Sequence, residues 1–274
     1  MRVYPLLLAT VAVLFSASSV QAQRRTKGFT VLQPQVQAEL PLSGNDYLFG
    51  ALNLQHFDTD LEATPLFSGQ GLRLGYEHFF NDQWSWGAVL NGQRVQTTSF
   101  YSAASYSHFL LPEVFGRHWN TLGSVNFRQR LAIGYTWPLD VANSGRFLAS
   151  LRLDVDRIFP LGSSGLALRP RLALEPVTYL RFQRDANEAK EPFLDFSELR
   201  GEVGVRLSPR FDFTPWFSWQ NSYSIALPQY NADGTVKIPG GNSRYVQPAV
   251  GLDLRITLGK NAGSAERRQL PTQY

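Results

Sequence analysis

The chain has 274 residues, 26 Lys and Arg against 22 Asp and Glu, a formal net charge of +4 and no cysteine. The absence of thiols excludes disulfides, thiolate metal sites and a lipidated-cysteine anchor. Basic and acidic residues are mixed along the whole length, so no basic stripe marks a nucleic-acid binder, and no nucleic acid is expected as a partner.

The chain opens like a secretory signal. Arg2 supplies the positive start, Leu6 to Phe15 is an unbroken apolar stretch, and Val20-Gln21-Ala22 matches a small-x-small cleavage site. Residues 1–22 are read as a signal peptide cleaved after Ala22, 23–259 as the folded unit and 260–274 as a polar C-terminal tail. No later run of 18 apolar residues follows, so the pattern is not that of a helical membrane protein.

Strict apolar–polar alternation then returns ten times. The strands are expected at 32–42, 47–56, 70–79, 84–95, 126–137, 146–158, 166–182, 197–207, 211–225 and 245–258. A strand points successive side chains to opposite faces, so each segment has one apolar and one polar wall. Compact turns are marked by Ser43-Gly44-Asn45-Asp46, Asn81-Asp82, Gly162-Ser163-Ser164-Gly165 and Ser208-Pro209. Longer connections fall at 57–68, 97–125, 183–196 and 228–244. Long and short connections do not alternate along this list, so one crossing is missing, most readily within Tyr101 to Phe115; the expected total is ten to twelve strands. Pro34, Pro170, Pro176, Pro215 and Pro248 fall inside these windows and imply bulges, strand ends or misplaced boundaries.

The charges keep to one wall. In the strand cores the apolar phase carries no Asp, Glu, Lys or Arg. The opposite phase carries nine arginines: Arg73, Arg128, Arg130, Arg152, Arg169, Arg171, Arg200, Arg206 and Arg255. It carries six carboxylates: Glu39, Glu77, Asp154, Glu202, Asp212 and Asp253. A lipid-facing Arg or Lys at the bilayer centre costs roughly 2–4 kcal/mol, so a hydrocarbon surface accounts for the exclusion. A soluble exported β-protein that binds a ligand would alternate in the same way, with its apolar wall turned to a core. Aromatic residues near strand ends favour the membrane: Tyr76, Trp84, Trp86, Tyr135, Trp137, Phe211, Phe213 and Trp219 read as girdles at the two interfaces. The expected fold is all-β, a closed antiparallel transmembrane β-barrel with the fifteen charges facing its lumen. Dyads such as Arg152/Asp154, Arg200/Glu202 and Asp253/Arg255 suggest a lumen narrowed or filled by paired charges, and a channel of mild anion preference is the alternative.

No catalytic, cofactor or metal site is expected. His56, His78, His108 and His118 lie in no metal-binding pattern, and no nucleophile elbow or phosphate loop is present. A barrel-embedded lipid-modifying enzyme would have to use His56, with Asp58, Asp60 and Glu62 in the following loop; an interfacial histidine beside a solvated acidic loop is the simpler reading.

Four segments carry a likeness: Phe127-Arg-Gln-Arg-Leu-Ala-Ile-Gly-Tyr135, Leu151-Arg-Leu-Asp-Val-Asp-Arg157, Leu168-Arg-Pro-Arg-Leu-Ala-Leu-Glu175 and Ser208-Pro-Arg-Phe-Asp-Phe-Thr-Pro-Trp216. Through them the chain resembles the outer-membrane barrel proteins of Gram-negative bacteria, in particular an uncharacterised family with Arg-rich strand motifs. The likeness covers the central and C-terminal half. It implies outer-membrane lipid and the barrel-assembly machinery as partners, a structural, adhesive or passive-transport role, and no enzymatic activity. One feature departs from the pattern: a charged tail follows the last strand, and Tyr274 lies outside any alternating segment.

Overall fold

The computed structural model describes residues 24–42, 46–57, 67–97, 105–140, 145–161, 166–180, 192–208 and 210–259. The proposed signal peptide, the tail beyond 259 and the acidic residues Asp58, Asp60 and Glu62 lie outside them. Eleven strands form one closed barrel: β1 Gln35–Pro41, β2 Asp46–Phe57, β3 Gly69–Phe79, β4 Trp84–Thr97, β5 Ser105–Leu122, β6 Val125–Pro138, β7 Arg146–Arg157, β8 Leu166–Leu180, β9 Phe196–Ser208, β10 Phe211–Ala226 and β11 Gly241–Thr257. Each pairs antiparallel with the next in sequence, and β11 closes the cylinder against β1. The expected ten segments are all strands. The missing crossing is β5, which occupies most of a stretch read from sequence as a long connection.

The added strand makes the count odd. In an up-and-down meander an odd count brings first and last strands together in the same direction, so the closing pair β1–β11 is parallel, with Asp253 opposite Gln35 and Thr257 opposite Glu39. The barrel is therefore mixed, not purely antiparallel. Two short pieces upstream, Arg24–Lys27 and Val31–Leu32, extend this seam along β11. A third, Phe159–Leu161, continues the β7–β8 hairpin, and Gln229–Tyr230 pairs with Val236–Ile238 in a small separate hairpin.

β5 also restores the alternation of connections. The links after β1, β3, β5, β7 and β9 gather at one end, here the turn end; the longer links after β2, β4, β6, β8 and β10 gather at the other, the loop end. Local chemistry sets two of the turns. Gly123 takes φ 62°, the left-handed region that a two-residue hairpin requires. Asn81 Oδ1 accepts from the backbone N–H groups of Gln83 (2.8 Å) and Trp84 (2.9 Å), turning the chain between β3 and β4.

Four of the five expected prolines, Pro170, Pro176, Pro215 and Pro248, neither bulge nor end their strands. Pro170 and Pro176 share a phase that points toward β7. Pairing with β7 lapses around both, while the ladder to β9 runs unbroken from Ala167 to Val177 and the register never shifts. Pro112 opens the same kind of gap toward β6, Pro215 toward β9, and Pro248 falls between the paired stretches of the closing seam. A proline lacks one N–H, so it costs the ladder on one side only. Pro34 does interrupt the chain, between Val31–Leu32 and β1.

The cylinder is tight enough that large inward side chains lie over glycines on the neighbouring strand. Gly75 sits under the Phe49 ring, Gly87 under Phe115 and Gly251 under Trp216. A Cβ at Gly251 would stand 2.3 Å from the Trp216 ring and 2.4 Å from the Gln33 carbonyl oxygen. Gly251→Ala should lower unfolding stability by about 1–3 kcal/mol, the range for overpacking, whereas Gly201→Ala, which meets nothing within 4 Å, should stay within about 0.5 kcal/mol; denaturant titration of both variants checks the contrast.

Candidate functional site: the barrel interior

The two walls of the sheet have opposite chemistry. Register carries one phase through every strand: Glu39 opposite Phe49, Phe49 opposite Gly75, Gly75 opposite Val89, and so on round to Arg255 beside Gln37. This phase faces inward. All fifteen charges read from the sequence lie on it, and most are buried. The outward phase carries Leu52, Leu72, Leu74, Leu90, Val114, Leu131, Ile133, Leu172 and Leu252, each with more than a third of its surface exposed. Among the described residues, buried polar and charged side chains outnumber buried apolar ones. Among the described residues, two small clusters of buried apolar side chains lie inside, Phe49–Val89–Phe115–Ala132 and Val31–Trp216–Ala249.

The inward charges are knitted across strands. Asp156 accepts from Arg128, from Arg169 (Nε to Oδ1, 2.9 Å) and from Asn126 (2.9 Å). Glu202 bridges Arg171 (2.7 Å) and Arg200 (2.7 Å), and Arg200 reaches on to Asp253 (2.6 Å). Asp253 also accepts the Trp216 indole N–H at 2.8 Å, while the Arg200 guanidinium lies 4.1 Å from the Trp216 ring centre. Arg152 contacts Asp154 (3.1 Å) and Glu175 (3.2 Å). Arg255 donates to Asp212 (2.8 Å from Nε) and approaches Glu39 at 3.7 Å, with Arg206 3.3 Å from Asp212. Arg117 stands 3.3 Å from Glu77, which also accepts from Ser85 at 2.5 Å. Arg130 pairs with Glu113, and Arg73 donates to Asn91 at 2.6 Å. Of the three expected dyads, Arg152/Asp154 and Arg200/Glu202 pair within a strand. Asp253 and Arg255 instead take different partners across strands, Arg200 and Asp212.

The sequence reading undercounted the carboxylates. Glu113 and Arg117 belong to the missed strand β5. Asp156, Glu175 and Glu198 lie inside the expected windows, on the same polar phase as the six carboxylates named from the sequence. With these added, the inward strand positions among the described residues hold eleven arginines, Arg146 at the loop-end rim included, and ten carboxylates. The apparent cationic excess shrinks from three to one.

The interior is closed unequally. At the turn end Tyr47, Phe79 and Trp119 pack edge-on across the inside, with ring centres 5.2 and 5.5 Å apart. Midway lies a polar chamber of about 380 Å³, bordered by Arg73, Arg130, Arg152, Arg200, Glu113 and Glu175 among others. Above it a hollow of about 860 Å³, lined by Phe109, Tyr179, Tyr223 and Arg146, opens toward the loop end.

The eight expected girdle residues all take the outward phase. Near the turn end Tyr76 packs on Trp86, with Trp84, Phe211 and Phe213 at matching strand positions; toward the loop end stand Tyr135 and Trp137, and Trp219 lies midway along β10. Trp84 stacks on His118 at 4.2 Å, and Asp46 accepts from Tyr76 (2.9 Å) and contacts His78 (2.6 Å). His56 is on the outward phase beside Leu32, so it does not join the inward charges. Among the described residues no group of three metal-ligating side chains comes together.

Beyond Pro138, Asp140 accepts from the His108 backbone N–H at 2.7 Å, which holds its carboxyl below the usual 3.8. A depressed carboxyl pKa adds stability above its unfolded value, and that stability is lost as pH falls through the folded value. The Asp140→Asn variant should therefore match the parent's pH dependence of unfolding above about pH 4 and diverge only below it; unfolding midpoints across pH 2–7 would check this.

The geometry defines a closed eleven-stranded β-barrel with an apolar exterior and an ion-paired polar interior. No protein-family model matches the chain, and neither the curated proteins nor the solved structures searched provide a match.

Proposed function

We propose that this chain is an integral outer-membrane β-barrel with a structural role, in which paired charges close the interior to ion flow. The observation that carries the reading is the inversion of polarity: leucines, valines and aromatics cover the outer wall while arginines and carboxylates fill the inner one. In water that arrangement would expose a continuous apolar belt far larger than the few hundred Å² usual for a soluble monomer. In a bilayer it places hydrocarbon against hydrocarbon, with aromatic residues near both ends at headgroup depth. Strands of 11 to 17 residues such as β3 and β11 reach or exceed the roughly 9–11 residues needed to cross. Short connections at one end and longer ones at the other fit the periplasmic turns and external loops of such barrels.

The lumen reading is non-conducting and non-enzymatic. Nearly balanced inward charges weaken the basis for an anion-selective pore, and breaking a buried pair to admit an ion is costly. Lipid and the barrel-assembly machinery are the partners this role requires. Membrane fractionation on a sucrose gradient tests the address: the chain should sediment with outer membrane, and recovery in soluble periplasm would defeat the reading. Planar bilayers holding folded protein should stay electrically silent; stepwise conductance would replace the closed barrel with a channel.

A further inference from the structure

We propose that the mid-barrel chamber is a binding site for a small neutral polyhydroxy ligand, a sugar or polyol, entering from the loop end. The chamber, at about 380 Å³, lies near the lower end of the volumes of small-molecule pockets, roughly 300–1,000 Å³. Its entrance is the wider hollow above, and the two spaces share Gln93, Leu111 and Phe196 at their boundary. Below it the buried pairs Arg171–Glu202 and Arg255–Asp212 and the Tyr47–Phe79–Trp119 cluster close the turn end, so the chamber is blind.

The lining selects the ligand class. The charged groups at the wall are engaged with protein partners: Arg130 with Glu113, Arg152 with Glu175 and Arg200 with Asp253 as ion pairs, Arg73 with Asn91 and Glu198 with Gln220 as hydrogen bonds. At the three ion pairs an ionic ligand would have to displace one member and leave the other buried. The remaining wall mixes carboxamides with apolar groups such as Leu54, Val89, Phe196 and Trp216. Asn53, Gln55 and Gln93 border the chamber and make no side-chain hydrogen bond among the described residues. Each carboxamide offers both an N–H donor and a C=O acceptor, and a hydroxyl likewise donates and accepts. Several such groups converging on one small space match a ligand carrying several hydroxyls. The chamber belongs to the barrel itself, so the inference stands or falls separately from the membrane address.

The test is isothermal titration of the detergent-folded full chain with D-glucose, glycine and succinate as probes. Saturable heat with D-glucose, absent with succinate and glycine, is the expected result. The double variant Asn53→Leu/Gln93→Leu should weaken glucose binding by about tenfold or more while the heat-modifiable gel shift of the folded barrel is kept. No saturable glucose binding by folded protein would overturn the assignment. So would a preference for succinate or glycine, or full glucose affinity in the double variant.

Discussion

Asp156→Ala should destabilise the barrel by about 3–5 kcal/mol, the cost of removing one partner from a buried charge cluster. Asp156 holds two guanidinium groups at once, Arg128 from β6 and Arg169 from β8, and an amide from Asn126. Arg128 is almost fully buried, so water cannot replace the lost carboxylate. The truncation leaves positive charges facing each other in a dry interior, a larger penalty than the loss of any single attractive pair. Asp82, in the turn between β3 and β4, is the comparison: Asp82→Ala removes an exposed carboxylate and should change stability by no more than about 0.5 kcal/mol. Urea titration of both variants folded into lipid vesicles measures the difference. Equal stabilities would mean that the interior is hydrated enough to solvate a stranded arginine.

Leu172→Arg should cost about 2–4 kcal/mol in a bilayer. Leu172 lies midway along β8 on the outward phase and is 56% exposed, with Val155 and Gly201 opposite it on the two flanking strands. Its side chain has little packing to lose. On a protein surface in water such a replacement is near neutral, within about 0.5 kcal/mol. The penalty arises only if hydrocarbon surrounds the position, because the guanidinium must then be desolvated or must deform the bilayer to reach headgroups. Depth gives the second signature. Phe211→Arg, at the turn-end start of β10, should cost only about 0–1 kcal/mol if that band lies at the interface. A depth-graded penalty belongs to a membrane; a flat, small one belongs to solvent.

Much of the architecture was legible because strand periodicity and lumen chemistry repeat the same two-residue signal. Every window with charges on one phase became a strand, and the phase predicted which wall is polar. β5 escaped because its alternation is irregular: Leu110, Leu111 and Pro112 run together, and the inward face mixes Phe109 and Phe115 with Glu113 and Arg117. That loss hid the odd strand count, and with it the parallel closing seam, which follows from the parity of the count and has no local sequence mark. Charge placement was readable, but partner choice was not. Which carboxylate meets Arg255 depends on which strand lies beside it, and that is a property of register across the sheet. The chamber is the least legible feature. Asn53 and Gln55 on β2 and Gln93 on β4 look like ordinary polar-phase residues until closure brings them to one space. A sequence hint does exist in the inward glycines, Gly75, Gly87 and Gly251, which mark where a large side chain folds across the interior.

The outer wall can be probed directly, because a chain with no cysteine accepts a single reporter cleanly. Leu131→Cys and Leu172→Cys, each carrying an environment-sensitive fluorophore, would be reconstituted in vesicles whose lipids bear bromine on the acyl chains. If the wall is bathed in hydrocarbon, brominated lipid quenches both labels and aqueous iodide leaves them bright. Quenching by iodide with no effect of brominated lipid would show water at that surface and contradict the account.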